Sequence, residues 1–180
     1  MRFIQRWALM RNTAQENVQE HSHQVAVLAH ALALIRRDIL GLPTPDPDRC
    51  AVAALYHDAC EILTGDLPTP IKYYNPEIKI AYKQVERAAG NRLLDMLPPQ
   101  LRASYEHLVL EDDKELEPFL KGADKLSAYI KCVEEQKAGN TEFDSAAEVT
   151  LQSLKAMNRE EMNWFLENCL PAFSLNLDQL

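Results

Sequence analysis

Apolar residues recur at helical spacing through almost the whole chain, and this pattern most restricts the folds that the sequence can adopt. The first stripe predicts a helix near 17–37. It consists of Val18, Val25, Leu28, Leu32 and Ile35. Asn17, followed three residues later by Glu20, gives this helix a capping-box start. Because no useful stretch alternates apolar and polar residues as a half-buried strand would, the sequence predicts an all-α fold.

Proline, glycine and asparagine divide the pattern into segments. Asp46 before Pro47 predicts that a second helix, over 47–64, begins there and stops at Gly65. We expect the buried face of this helix to contain Val52, Leu55, Ala59 and Ile62. Two prolines then predict an ordered loop over 66–70. Further helices are expected from Pro76 to the Pro98–Pro99 break, over 101–110, over 115–138, over 146–157 and over 160–169.

Length, charge and cysteine content limit the function classes. A chain of 180 residues fits one domain, 1–180. A formal net charge of −8 argues against a nucleic acid polymer as partner, because such partners select clustered Lys and Arg. No apolar run suits a membrane span or a signal peptide, so we expect no membrane association and a cytoplasmic location. The four widely spaced cysteines are expected to be reduced, in or near the core.

Histidines and acids lie beside the apolar stripes of three predicted helices. His21 lies on the same side of the first helix as Val18. His57 and Asp58 lie shortly before the end of the second helix, and Asp124 lies in the long helix over 115–138. Burying such a group without a partner costs roughly a few kcal/mol. Two imidazoles and two carboxylates that met would form a cage for a divalent cation. The sequence therefore predicts a metal site that joins these three helices.

Each of these residues has a simpler interpretation when it is taken alone. His21 could be a core histidine bonded to a carbonyl, and Asp124 could cap locally or pair with Lys121 or Lys125. Glu61 follows His57 by four residues and Asp58 by three, so we expect all three on one side of the same helix, where a carboxylate that is not a ligand can shuttle a proton. Its alternative is an exposed glutamate near a helix C-terminus, which the helix dipole disfavours.

With these residues in place, the chain resembles the HD-domain superfamily of all-α, metal-dependent phosphohydrolases. Longer strings resemble the bacterial 5'-deoxynucleotidases of that superfamily, which remove phosphate from deoxyribonucleoside 5'-monophosphates. These strings are RW-LMRN (6–12), ENV-EHS (16–22), YHD--E (56–61), TGDLPTP-KY (64–73), KGADKLSAY (121–129), KC-EE--AGN (131–140) and PAFSLNLD (171–178). The resemblance covers nearly the whole chain.

The resemblance implies a single HD-domain helical bundle and a homodimer. It implies one divalent cation, cobalt or manganese, with zinc, magnesium, copper or iron as alternatives. The implied metal ligands are His21, His57, Asp58 and Asp124, and the implied catalytic residues are Glu61, Arg6 and Asp58. The implied substrate contacts are Arg6, Trp7, His21, Asp58, Asp66, Leu67, Pro68 and Thr69. Among these, Asp66 is tied to the preference for deoxyribose over ribose.

The residues alone leave some of these roles open. The planar guanidinium of Arg6 could bind two phosphate oxygens, or Arg6 could simply be a charged residue at the surface. Trp7 could stack on a base or pack in the core. Asp66 could be a plain turn residue after Gly65. Because no cysteine or serine lies in a motif for a covalent phosphoenzyme, we expect attack by a metal-bound water, with Glu61 relaying a proton.

Two other functions stay open at this point. The site could act on a cyclic or polyphosphorylated nucleotide, or the chain could be a nucleotide-sensing protein with an inactive site. A purely structural helical protein would leave the buried polar groups unexplained.

Overall fold

The computed structural model describes residues 1–72 and 74–179, and within these ranges the chain forms α-helices and no strand. Tyr73, at the end of the TGDLPTP-KY string, lies outside the described residues. The helices are α1 (Val18–Leu34), α2 (Pro47–Tyr56), α3 (Glu61–Thr64), α4 (Thr69–Lys72), α5 (Pro76–Asp95), α6 (Pro99–Val109), α7 (Glu117–Lys137), α8 (Asp144–Ala156) and α9 (Glu160–Asn168). The all-α prediction is confirmed.

The helix starts follow the local signals in the sequence. The Asn17 side chain accepts hydrogen bonds from the backbone N–H groups of Gln19 and Glu20 at 3.0 Å each, and Glu20 Oε2 accepts from Asn17 N at 3.1 Å. Asp46 and Asn75 cap α2 and α5 in the same way, each followed by proline. These three predicted helix starts are confirmed.

The main core forms where α1 packs against α2 and α7. The predicted stripe of α1 is buried, including Leu32 at 1% exposure, and α7 packs against it with residues that include Ile130 at 0%. Each fully buried side chain of this size contributes about 1.5–3 kcal/mol. Because α1 and α7 meet through these stripes, polar residues on the same faces are carried to the interface between the two helices.

The second predicted helix is shorter than expected, because α2 ends at Tyr56 and a turn over 57–60 separates it from α3. His57 Nδ1 lies 2.7 Å from the Ala54 carbonyl oxygen, which a continuing helix would offer to the N–H of Asp58. The turn instead uses tighter bonds, such as Ala59 N to Tyr56 O at 2.8 Å. The expectation that Glu61 shares one helix with His57 and Asp58 is wrong.

The predicted buried face of the second helix is also wrong, except at Ala59. Val52, Leu55 and Ile62 are 44%, 42% and 49% exposed. The residues that face the core are small, with Cys50, Ala53 and Ala54 at 0–5% exposure. Small side chains let the α2 backbone approach α1 closely, and the residues after α2, His57 and Asp58, lie next to His21.

Smaller differences occur at other boundaries. A π-helical turn over Ile35–Ile39 extends α1, and the ordered loop after Gly65 reaches only Pro68 before α4 begins. All four cysteines are free, with Cys50, Cys60 and Cys132 buried. Within the described part of the chain, no helix combines the length and apolarity needed to cross a bilayer.

Candidate metal and phosphate site

The two predicted histidine ligands reach one point from α1 and from the turn after α2. Their ring centroids lie 5.2 Å apart. Nδ1 of His57 lies 2.7 Å from the Ala54 carbonyl oxygen, and Nδ1 of His21 lies 3.1 Å from Ser127 Oγ. Nε2 of both rings is buried, and the polar groups nearest to it are carboxylate oxygens. Ring nitrogens held in this way are typical of metal ligands, whose other nitrogen donates to a carbonyl or side chain.

Two carboxylates approach the same pair of nitrogens. Asp124 Oδ1 lies 3.1 Å from His21 Nε2, and Asp58 Oδ2 lies 3.5 Å from His21 Nε2 and 3.2 Å from His57 Nε2. The ligand atoms of His21, His57 and Asp124 all lie within 4.8 Å of one another. The structure therefore brings together all four residues that the sequence nominates as metal ligands. This mixed nitrogen and oxygen set suits a divalent transition metal.

The local electrostatics show how strongly these carboxylates need positive charge. Burial alone lowers the pKa of His57, but the Asp58 carboxylate beside it, with Asp124, raises that pKa to about 9. Burial alone raises the pKa of Asp124, but the hydrogen bond and charge of His21 hold it well below the usual range. A divalent cation supplies the same positive charge and displaces the imidazole proton when it binds.

Glu61 begins α3 beside the candidate ligands. Its side chain is 7% exposed, and Oε2 has no hydrogen-bond partner among the described residues. Burial, followed by the charges of Asp58 and Asp66, raises the pKa of Glu61 to about 8. A carboxyl group that holds a proton near neutral pH and lies outside the ligand cluster is suited to proton transfer.

Arg6 approaches the site from the segment before α1. Its Nη1 lies 3.7 Å from Asp58 Oδ2, while its Nε donates to Glu16 Oε2 at 3.2 Å. The same Glu16 oxygen accepts from Trp7 Nε1 at 2.9 Å. Glu16 was not predicted as a site residue, although it opens the ENV-EHS string. Because Glu16 occupies Nε, the outer edge of the Arg6 guanidinium remains directed at Asp58.

Trp7 is fixed in an uncommon backbone conformation, with φ at 59°. Its carbonyl oxygen accepts from Met10 N at 2.9 Å, and its ring lies 5.3 Å from that of Phe143 between centroids. Such a backbone position costs about 1–3 kcal/mol and persists only where the surroundings determine it. The contact with Phe143 favours the interpretation that Trp7 packs in the core. Its strained backbone position directly follows Arg6 in the chain.

The loop after α3 lies close to Arg6 and Glu61. Gly65 ends α3 with a φ of 72°, a backbone conformation that favours glycine, and Asp66 follows it directly. Burial raises the pKa of Asp66, and the charge of Arg6 opposes that shift. Leu67 and Pro68 are half-buried and Thr69 is exposed. Of the four predicted loop residues, Asp66 therefore has the clearest electrostatic link to the site.

A cavity of about 520 Å³ opens from the candidate ligands toward α5, α6 and the start of α7. Its lining includes His57, Asp58, Glu61, Asp124 and Glu111. Glu111 was not predicted from the sequence. It is exposed to solvent, and its φ is 50°. The cavity therefore gives small molecules access to His57, Asp58 and Asp124, three of the four candidate ligands.

The segment that carries Arg6 is also tied to α7. Glu135, 1% exposed, accepts from Thr13 N at 2.9 Å, Ala14 N at 3.3 Å and Asn140 Nδ2 at 2.8 Å. Lys131 pairs with Glu135 and donates to the Ala14 carbonyl oxygen at 2.6 Å. These contacts fix residues 13 and 14 against the helix that carries Asp124.

Comparisons with known proteins indicate the family of this chain. The 5'-deoxynucleotidase YfbR-like family model matches residues 1–173. A 5'-deoxynucleotidase from Vibrio cholerae is 48% identical over 182 residues, which cover 100% of this chain and 93% of that protein. The fold is similar to an HD-domain phosphohydrolase from Listeria innocua, with a TM-score of 0.79, 23% identity and coverage of 94% of this chain and 82% of that one. It is also similar to the cyanophage S-2L HD phosphohydrolase bound to dA and one catalytic Zn²⁺ ion, with a TM-score of 0.65, 19% identity and coverage of 94% and 91%. The chain belongs to the YfbR-like 5'-deoxynucleotidase family.

Proposed function

We propose that residues 1–180 form one HD domain that hydrolyses deoxyribonucleoside 5'-monophosphates to deoxyribonucleosides and phosphate. The observation that carries this proposal is that two buried imidazole nitrogens meet the Asp58 and Asp124 carboxylates, beside the protonatable Glu61. Family membership supplies the substrate class, since the relative from Vibrio cholerae is a 5'-deoxynucleotidase.

His21, His57, Asp58 and Asp124 would hold one divalent cation, for which we propose cobalt or manganese. When bound, such a cation polarises a phosphoryl oxygen and makes water a better nucleophile at neutral pH. The cyanophage phosphohydrolase with the same fold carries one catalytic Zn²⁺ ion, which supports a single-ion site of this kind.

The chain's own residues would position the phosphate and move the proton. The Arg6 guanidinium, held through Nε by Glu16, can donate from its outer nitrogens to two phosphoryl oxygens. Glu61 can exchange a proton at Oε2 with the attacking water or with the departing 5'-oxygen. Its raised pKa suits either transfer near neutral pH.

The test of this proposal is a phosphate-release assay on a panel of deoxyribo- and ribonucleoside 5'-monophosphates, cyclic nucleotides and nucleoside triphosphates. We expect release from the deoxyribonucleoside 5'-monophosphates in the presence of cobalt or manganese. Preferential hydrolysis of a cyclic or polyphosphorylated nucleotide would contradict the substrate class. Nucleotide binding without phosphate release would contradict the enzymatic function and indicate a sensor.

We expect Asp66→Ala to lower the preference for deoxyribonucleotides, measured as their kcat/KM divided by that of the matching ribonucleotides, by about 10-fold or more. Asp66 lies in the loop beside Arg6, and its carboxylate would leave no favourable space for a 2'-hydroxyl. The same assay, with paired dAMP and AMP, measures the ratio. Asp48→Ala, which removes an acid with 88% side-chain exposure, should leave the ratio unchanged. An unchanged ratio in Asp66→Ala would remove Asp66 from sugar discrimination.

We also propose a homodimer in the cytoplasm, with small nucleotides rather than nucleic acid polymers or membranes as partners. Val52, Leu55 and Ile62 are exposed on α2 and α3, and a second copy would cover this apolar area. Sedimentation equilibrium should give twice the monomer mass, and Leu55→Asp should shift the protein toward monomer. A monomeric wild-type protein at assay concentrations would contradict the dimer.

A further inference from the structure

Ser127 links the two helices that carry His21 and Asp124. It lies on α7, one turn after Asp124, and its side chain is fully buried. Its Oγ donates to Gln24 Oε1 at 2.6 Å and lies 3.1 Å from His21 Nδ1. Gln24 in turn lies on α1, three residues after His21, so the chain of contacts begins and ends on the same helix.

The direction of these hydrogen bonds follows from the single proton on the serine hydroxyl. Because that proton is given to Gln24 Oε1, Ser127 Oγ can only accept at the position facing His21. Nδ1 of His21 must then carry the ring proton and donate it to Ser127. The neutral ring consequently has its lone pair on Nε2, the atom that lies 3.1 Å from Asp124 Oδ1.

The two candidate ligand histidines differ in how this tautomer is set. His57 Nδ1 uses the carbonyl oxygen of Ala54, a backbone group that can only accept. His21 uses a hydroxyl, which could equally donate and would then place the lone pair on Nδ1, away from the site. Only the acceptor on Gln24 removes that ambiguity.

We propose that Ser127 and Gln24 act as positioning residues that hold His21 in its metal-binding tautomer and thereby set the affinity for the divalent cation. This inference rests on the proposed metal site and adds two residues to it. Outer partners of metal-bound histidines typically change metal affinity by 10- to 100-fold when they are removed. Removing the Ser127 hydroxyl would leave His21 Nδ1–H buried without an acceptor, so the ring could turn or change tautomer.

The experiment titrates Co²⁺ alone into the stripped full-length protein and follows its visible absorption, with a chelator competition to obtain Kd. Ser127→Ala should weaken cobalt binding by about 10- to 100-fold. The matched control is Ser22→Ala, because Ser22 Oγ is equally buried beside His21 but has no hydrogen-bond partner among the described residues. Ser22→Ala should bind cobalt as the wild type does.

Two variants of the half-exposed Gln24 provide a readout that does not depend on changing the core. Gln24→Ala should weaken cobalt binding, because the Ser127 hydroxyl is then free to donate to His21. Gln24→Glu keeps an acceptor and should retain wild-type affinity. If Ser127→Ala fails to fold, this pair decides the inference.

The outcomes separate this inference from the proposed function. Wild-type affinity in both Ser127→Ala and Gln24→Ala, or an equal loss in Ser22→Ala, would overturn the positioning role while leaving the nucleotidase intact. A wild-type protein that binds no cobalt would overturn the metal site and this inference together.

Discussion

Glu61→Gln is expected to lower kcat for phosphate release by about 10²- to 10⁴-fold, the contribution typical of a positioned general acid or base. Glutamine keeps the shape of the side chain but has no exchangeable carboxyl proton. The buried Oε2 atom of Glu61 lies outside the His21, His57 and Asp124 cluster, so cobalt affinity should remain near that of the wild type. Steady-state kinetics with dAMP and the cobalt titration together measure both quantities.

The matched control for this prediction is Glu148→Gln, which changes an exposed glutamate on α8 and should leave kcat unaltered. Substantial residual turnover in Glu61→Gln would exclude Glu61 from the chemical step. Loss of cobalt together with activity would instead assign Glu61 to the ligands.

Removal of divalent cations should lower activity by about 10³-fold or more, since a Lewis acid at a phosphoryl oxygen contributes several kcal/mol. Activity should return on addition of cobalt or manganese to the stripped protein. The expectation follows from the buried histidine nitrogens and the Asp58 and Asp124 carboxylates, which converge on one point. Metal analysis of the stripped sample and phosphate release before and after addition measure the effect.

Thermal unfolding provides a second readout of the same site. A cation present at about 100 times its Kd should stabilise the folded protein by about 2.7 kcal/mol. His57→Ala should lose this stabilisation, whereas His23→Ala, at an exposed position on α1, should retain it. Full activity in a sample shown to contain no divalent cation would contradict the metal-dependent mechanism.

Local signals predicted the helices well because capping is a local interaction. Asn17 and Asp46 bond to backbone groups only two or three residues away, so their roles can be inferred from short strings. The break after Tyr56 could not be predicted in this way, because there the His57 ring, and not a backbone N–H, forms the hydrogen bond with the Ala54 carbonyl oxygen. The orientation of α2 was predicted wrongly because large side chains were assumed to face the core, where Cys50 and Ala53 pack instead.

The candidate site shows the same division between local and long-range information. His21 and Asp124 could be nominated because a polar side chain on an apolar stripe requires a partner. Ser127, whose hydroxyl lies 3.1 Å from His21 Nδ1, is 106 positions from His21 along the chain, and no periodic pattern connects the two. Arg6, Trp7 and Asp66 were nominated through family resemblance, since their segments have no helical stripe that would mark them.

The Glu135 contacts have a consequence for how the enzyme tolerates movement. Glu135 and Lys131 form hydrogen bonds with residues 13 and 14 near the C-terminal end of α7, while Asp124 lies in the N-terminal half of the same helix. A small shift of α7 would therefore carry residues 13 and 14 along with Asp124, so the distance between Asp124 and this part of the N-terminal segment would change less than either position does. Substitutions that accumulate on the outer face of α7 would thus displace the helix together with the N-terminal segment bonded to it, without pulling the two apart.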